Sequence, residues 1–178
     1  MDYEFVVKIA YELEQSGYLV ERDPFLAGSQ ALFYARSAQR YQLGFAKIED
    51  HFLFVDWENG VFAQLERLTQ NYQAFSRFVN QTFRVPHALR MQIPNLALVA
   101  VSQTVFPEIV VRFARKTNLT PWYRGETGQI ILVDTTQKQV ISMDWFGGWR
   151  SPTRGVLPLR NTANLIRSIS QNAFVNTA

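Results

Sequence analysis

The chain contains no cysteine. Disulfide bonds, thiolate nucleophiles and cysteine-ligated metal or iron–sulfur sites are therefore excluded. No apolar stretch approaches the roughly 20 residues that a membrane-spanning helix needs, and the first residues lack the basic start and apolar run of a signal peptide. We therefore expect a cytoplasmic protein that does not enter a membrane.

Two sequence patterns of catalysis are also missing. Gly147-Gly148 is followed by Trp149 and Arg150, whereas a phosphate-cradling loop continues with Lys and Ser or Thr. No serine lies in a Gly-x-Ser-x-Gly turn. These absences favour a protein that is not an enzyme, and we expect no cofactor.

Large side chains are plentiful. The 178 residues are 47% hydrophobic and include 14 Phe, 7 Tyr and 4 Trp, whereas only 19% are charged. A chain of this length buries about two thirds of its unfolded surface, so we expect a single compact domain over 1–178. Some of the aromatic side chains should be left over for a pocket or a subunit contact.

The charge is unevenly distributed. The net charge is +3, but residues 1–60 carry five basic and ten acidic side chains, while residues 145–178 carry four arginines and no acid. Arginine outnumbers lysine fourteen to four. Because the guanidinium group binds carboxylates and phosphates through two hydrogen bonds at once, this bias predicts a cationic surface with an anionic partner.

The periodicity of apolar residues predicts an α+β fold, with a mixed, largely antiparallel sheet packed by helices. The predicted helices cover 3–16, a long connecting segment over 61–84, 108–117 and, within a C-terminal loop and helix over 145–172, residues 161–172. The predicted strands cover 18–21, 30–37, 41–47, 51–57, 96–101, 129–134 and 139–143. Residues 144–160 contain three Gly and two Pro and are expected to be irregular.

One heptapeptide recurs. Residues 4–10 return as residues 108–114, with four positions identical and three chemically alike. The recurrence suggests two similar halves, 1–60 and 96–144, each made of a helix and a strand meander. Chance recurrence of common helical residues explains it equally well, and a strand, helix, strand order over 96–134 also allows a parallel crossover.

The most distinctive local composition lies near the C-terminus. Trp145 and Trp149 flank a Gly-Gly pair and are followed by Arg150, Arg154 and then Arg160. Such residues can stack on a planar ligand and bind phosphate. Alternatively, the indoles close the open end of the core.

A second candidate surface is the hairpin that contains Tyr34 and Arg36. Alternation along a strand places both side chains on one face, where they are candidates to contact a partner. The alternative is an ordinary strand edge that charge protects from association.

His51 lies among acids and is a weak candidate for a metal site. Alternation turns His51 away from Asp56 and leaves only Glu49 on its side of the strand. Since a metal site needs three or more convergent ligands, we expect none here.

Residues 7–47 resemble the opening of the restriction-endonuclease-like nucleases: a helix, then Gly17-Tyr18-Leu19-Val20-Glu21-Arg22, then two strands that end in Lys47. The resemblance implies metal-dependent phosphodiester cleavage by two carboxylates and a lysine. Ala31 and Phe45 stand at the carboxylate positions, so it implies a catalytically inactive relative, or one whose acids come from Glu49 or Asp56.

These observations lead to one hypothesis and two alternatives. The first is a non-catalytic domain that binds another protein and associates with itself, because aromatics and arginine are favoured at interfaces. The first alternative is a nucleic-acid-binding protein or degenerate nuclease. The second is a small-molecule sensor with an aromatic pocket.

Overall fold

The computed structural model describes residues 3–22, 31–43, 46–57, 61–83, 92–117, 119, 125–143 and 153–175. These residues form four helices and seven strands. The helices are α1 (Tyr3–Gln15), α2 (Val61–Gln81), α3 (Glu108–Lys116) and α4 (Thr153–Val175). The strands are β1 (Tyr18–Arg22), β2 (Ala31–Ser37), β3 (Tyr41–Leu43), β4 (Ala46–Asp56), β5 (Gln92–Ser102), β6 (Thr127–Asp134) and β7 (Gln139–Ile141). None of the described helices is long and apolar enough to cross a membrane.

The strands form one mixed sheet in the order β1-β2-β4-β5-β6-β7, with β3 paired to the start of β4. The pairs β4–β5 and β5–β6 are parallel, and the other described pairs are antiparallel. The connections between the parallel strands contain α2 and α3, as parallel pairing requires. The predicted α+β fold with a mixed, largely antiparallel sheet is therefore confirmed.

Helices cover both faces of the sheet, so there are two apolar cores. Phe52 and Phe54 of β4 point to the core shared with α1 and α4. Leu53 and Val55 point to the core shared with α2 and α3. A strand that is covered on both sides needs apolar residues at consecutive positions, and the run in β4 satisfies this requirement.

Helix α1 ends at Gln15, one residue before its predicted end. The buried residues of α1 form the expected stripe: Phe5, Val6, Ile9, Ala10 and Leu13. Gly17 follows the helix with φ of 84°, a left-handed conformation that only glycine adopts at little cost.

The two copies of the recurring heptapeptide lie on opposite faces of the sheet. In α1 the copy buries Val6 and Ala10 against the α1/α4 core, whereas in α3 the equivalent Val110 and Ala114 are buried in the α2/α3 core. The same two helical positions are thus buried twice. The strands that follow differ, however, since β1 is antiparallel to its neighbour and β6 is parallel to β5.

Several predicted element boundaries are wrong. The strand predicted over 41–47 is divided between β3 and β4, which pair with each other, Tyr41 opposite Ile48. Apolar alternation is the same in both strands of a short hairpin, so periodicity alone cannot show that the chain reverses its direction between them.

Helix α4 begins at Thr153, before its predicted start at 161, and contains Pro158, although Pro disfavours a helix interior. The next residue, Leu159, is fully buried, and its carbonyl accepts a 2.7 Å hydrogen bond from Gln129 of β6.

Strand β5 begins at Gln92, before the predicted start at 96, and therefore includes Pro94. Pro94 pairs with Glu49 of β4, whereas pairing with β6 begins one residue later, at Asn95. At Pro94, β5 is therefore not yet paired with β6. A proline that lacks an N–H is tolerated at such a position.

Substitution of Gly128 tests the fit between β6 and α2. A Cβ atom at Gly128 would lie 1.6 Å from the Tyr72 hydroxyl oxygen. We expect Gly128→Ala to lower the free energy of unfolding by about 1–3 kcal/mol through overpacking. Urea unfolding of Gly128→Ala, Tyr72→Leu and the double variant measures the coupling. The double variant should lose much less than the sum of the single losses, and additive losses would contradict this packing.

Candidate functional site

Polar side chains concentrate at the end of the sheet where β4, β5 and β6 begin. The register places Asp50, Asn95 and Thr127 side by side on the three strands. On β4 the residues on either side, Glu49 and His51, point to the opposite face. The strand alternation therefore divides this polar end into two separate networks.

The network on the α1/α4 face is centred on Asp50, which is 6% exposed. The Asn95 amide donates to Asp50 Oδ1 at 2.7 Å, and the Tyr18 hydroxyl donates to Oδ2 at 3.0 Å. Tyr41 adds a longer bond of 3.3 Å. Thr127 donates in turn to the Asn95 side-chain carbonyl at 2.7 Å. The three side chains that donate to Asp50 are neutral, so none of them compensates the charge of this carboxylate.

Burial raises the pKa of the Asp50 carboxyl above its ordinary value, and the hydrogen bonds from Asn95 and the two tyrosines offset part of the rise. Burial also raises the pKa values of Tyr18 and Tyr41, and the neighbouring Asp50 carboxylate raises both further. The two phenols therefore remain protonated and donate to Asp50.

The network on the opposite face is centred on Glu49, whose side chain is 7% exposed. The Arg40 Nε donates to Glu49 Oε2 at 2.5 Å. An Arg36 guanidinium nitrogen lies 3.9 Å from Oε1. Arg36 and Arg40 keep 50% and 43% of their side chains exposed. Glu49 thus anchors cations that remain accessible to a ligand.

His51 lies directly behind Glu49 and is 3% exposed. Its Nδ1 is 2.6 Å from the Tyr34 hydroxyl, while its Nε2 is 3.7 Å from Glu49 Oε1, which is too long for a hydrogen bond. Burial lowers the pKa of His51 to about 4, although Glu49 opposes this shift. The imidazole is therefore neutral at neutral pH, and its contact with Glu49 is not an ion pair.

An open groove lies in front of Glu49. Its volume is about 350 Å³ and its floor comes from β1, β2, β4 and the turn after β2. We call it the basic groove, and it is lined by Leu19, Arg36, Ser37, Ala38, Arg40, Lys47 and Glu49. It contains three cations and one carboxylate. The positive charges outnumber the negative charge by two, so the basic groove favours an anionic ligand.

A third buried carboxylate is held differently. Glu126 is 6% exposed, and its two carboxylate oxygens, each 2.9 Å from the Ser76 hydroxyl oxygen, share the one hydroxyl proton; Oε2 also accepts a hydrogen bond from the Asn80 amide. Both partners belong to α2. This contact joins the last turns of α2 to the start of β6. None of its three residues lines the basic groove.

The acids around His51 do not converge. Glu49 lies beside the imidazole, as alternation predicted, whereas Asp56 lies at the other end of β4. Within the described ranges no group of three His, Asp or Glu side chains is arranged to hold a metal ion. The imidazole does not line the basic groove.

The structure places the other predicted binding residues as follows. Trp145, Trp149 and Arg150 lie outside the described residues. Arg154 belongs to the first turn of α4, but its side chain lies outside the described part. Arg160 is exposed on α4, on the face of the sheet opposite the basic groove, and so does not contribute to the groove.

The expected pairing of Tyr34 with Arg36 at the surface needs a correction. Both point to the α2/α3 face, but Tyr34 is only 6% exposed because Phe75 and Phe78 of α2 pack edge-on against its ring. Arg36 lies two residues further along β2 and lines the basic groove. Only Arg36 of the pair is therefore available to a partner.

Sequence reasoning missed that Arg40, Lys47 and Glu49 line one groove. Arg40 follows β2 in a turn, and Lys47 lies two residues before Glu49 on the same face of β4. The alternation of Lys47, Glu49 and His51 was visible in the sequence. That Glu49 lies near Arg36 depends on the register of β2 with β4, and no local sequence pattern reveals this register.

No protein-family model matches this chain, and neither a curated protein nor a solved structure matches it significantly. The geometry of the basic groove and its neighbours is thus the basis for the function proposed below.

His51 makes stability depend on pH. A pKa of about 4 in the folded state, against about 6.5 unfolded, means that stability is lost as the pH falls from 6.5 to 4. The full loss corresponds to about 3 kcal/mol. We expect His51→Gln, which retains a polar partner for Tyr34, to lose less stability over this range than the wild type.

Urea unfolding at several values of pH from 7 to 4 measures the difference. The contribution of Asp50, whose raised pKa favours folding at low pH, is common to both proteins and cancels. Parallel curves for the wild type and His51→Gln would show that His51 titrates alike in the folded and unfolded chains.

Proposed function

We propose that this protein is a non-catalytic binding domain and that the basic groove binds the phosphates of a nucleic acid strand. The observation that carries the proposal is the excess of cations over carboxylates on a rigid three-strand floor. Arg36 is held 3.9 Å from Glu49 and half exposed, so its donors are available to a phosphate.

The dimensions of the basic groove favour a single strand over a duplex. A volume of about 350 Å³ is at the lower end of the range for small-ligand pockets, roughly 300–1,000 Å³. Such a groove holds one or two units of a strand. The exposed Leu19 supplies an apolar contact beside the cations.

Removal of charge from the basic groove tests the proposal. We expect fluorescence anisotropy to show binding of a labelled 12-residue oligouridylate that weakens steeply with salt, because bound phosphates release counterions. The variant Arg36→Gln/Lys47→Gln should lower the affinity at 50 mM salt and reduce the slope of log K against log salt by about 0.7 per lost phosphate contact.

The matched control is Arg112→Gln/Lys116→Gln on α3, which changes the net charge equally at exposed positions outside the groove. The control should bind as the wild type does. Equal losses in both double variants would contradict a specific groove. Tighter binding of polyglutamate than of oligouridylate would contradict a nucleic acid ligand in favour of an acidic protein.

A second candidate function, self-association, has its own support on α1. Tyr3, Val7 and Tyr11 are 73%, 56% and 55% exposed and recur at intervals of four, so they form one apolar stripe on the outer face of the helix. The pattern is symmetric about Val7. Two antiparallel copies of α1 would therefore place Tyr3 against Tyr11 of a second copy, as a two-fold interface requires.

Sedimentation velocity tests this interface. We expect the wild type to dimerise with increasing concentration and Val7→Glu to remain monomeric, because a carboxylate at the centre of the stripe would lose its hydration in the dimer. Val105→Glu is the control, since Val105 is 58% exposed and lies outside α1. A monomeric wild type at high concentration would contradict self-association through α1.

A further inference from the structure

Glu49 presents an acceptor inside a groove that otherwise attracts anions. Its Oε2 is bound by Arg40. Two nitrogens face Oε1, His51 Nε2 at 3.7 Å and an Arg36 guanidinium nitrogen at 3.9 Å, and both lie beyond hydrogen-bonding distance. Neither group donates a hydrogen bond to Oε1, and Glu49 lines the basic groove, so this oxygen keeps acceptor capacity for a ligand.

The environment fixes the position of this acceptor. Glu49 lies within β4, where it is opposite Pro94 of β5, and its side chain is only 7% exposed. Behind it the His51 ring is held by Tyr34 at 2.6 Å. A side chain held in this way loses little conformational freedom when a ligand binds.

A carboxylate repels a phosphate unless the ligand also offers a donor. The basic groove therefore suits a ligand in which a hydroxyl lies next to a phosphodiester. A ribonucleotide strand has this arrangement, because its 2′-hydroxyl is adjacent to the 3′-phosphate, whereas a deoxyribonucleotide strand has no such donor.

We propose that the basic groove selects RNA over DNA, with Glu49 Oε1 accepting a hydrogen bond from a ribose 2′-hydroxyl while Arg36, Arg40 and Lys47 bind the neighbouring phosphates. The inference rests on the proposed function, since it names the kind of strand that the groove binds. Glu49 acts here as a specificity-determining residue.

Three 12-residue strands that differ only at the 2′ position test the inference: oligouridylate, oligodeoxyuridylate and 2′-O-methyl oligouridylate. A hydrogen bond to a charged group contributes enough to change affinity by about tenfold or more. We expect the wild type to bind oligouridylate about tenfold more tightly than either other strand, because methylation removes the donor and keeps the oxygen.

The variant Glu49→Gln should bind all three strands with affinities within about threefold of each other, since its amide forms a weaker bond with the hydroxyl. Its affinity for oligodeoxyuridylate should be equal to or higher than that of the wild type, because a negative charge has been removed. Glu126→Gln, which changes a buried carboxylate outside the groove, should retain the wild-type preference.

Two results would overturn the inference and leave the proposed function in place. One is equal affinity of the wild type for the three strands, with binding still lost in Arg36→Gln/Lys47→Gln. The other is a preference for oligouridylate that Glu49→Gln retains. No binding of any strand at 50 mM salt would contradict the inference and the proposed function together. The three strands test the wild type alone, so the result stands even where Glu49→Gln does not fold.

Discussion

The rest of the structure depends on how β4 is held between its neighbours. β4 pairs with β2, β3 and β5, and its second half is apolar on both faces because helices cover both. These contacts fix the register of the whole strand. A slip by one residue would exchange Asp50 with Glu49 and His51 between the two faces, so the same constraint that forms the cores also places the polar groups.

The two polar networks use different means to hold a buried carboxylate. Asp50 relies on neutral donors, and its pKa is raised by burial. Glu49 relies on arginines, which remain half exposed. Since an unpaired buried charge is strongly destabilising, Glu49 needs these cations for stability, and the groove gains cations that a ligand can use. Under the proposed function, stability and binding share the same ion pairs on the α2/α3 face.

The sequence predicts the elements better than their assembly. The stripe of α1, the long helix α2 and the two-sided burial of Phe52 and Leu53 follow from local periodicity and are confirmed. The recurring heptapeptide shows that a local pattern does not predict the position of a helix, because its two copies form helices on opposite faces of the sheet. The basic groove depends on contacts between Arg40 and Glu49 across two elements, and the burial of Tyr34 depends on how α2 crosses the sheet. Local patterns contain neither the register nor the crossing.

The central claim is that a ribonucleotide strand binds at the basic groove. A titration of the ¹⁵N-labelled protein with oligouridylate, followed through backbone amide chemical shifts, tests it most directly. The account predicts shifts at Leu19, Ala38 and Lys47 and none at Ile109 and Phe113, which line a separate cavity of about 420 Å³ between α2 and α3. Shifts confined to that cavity, or no shifts at all, would contradict it.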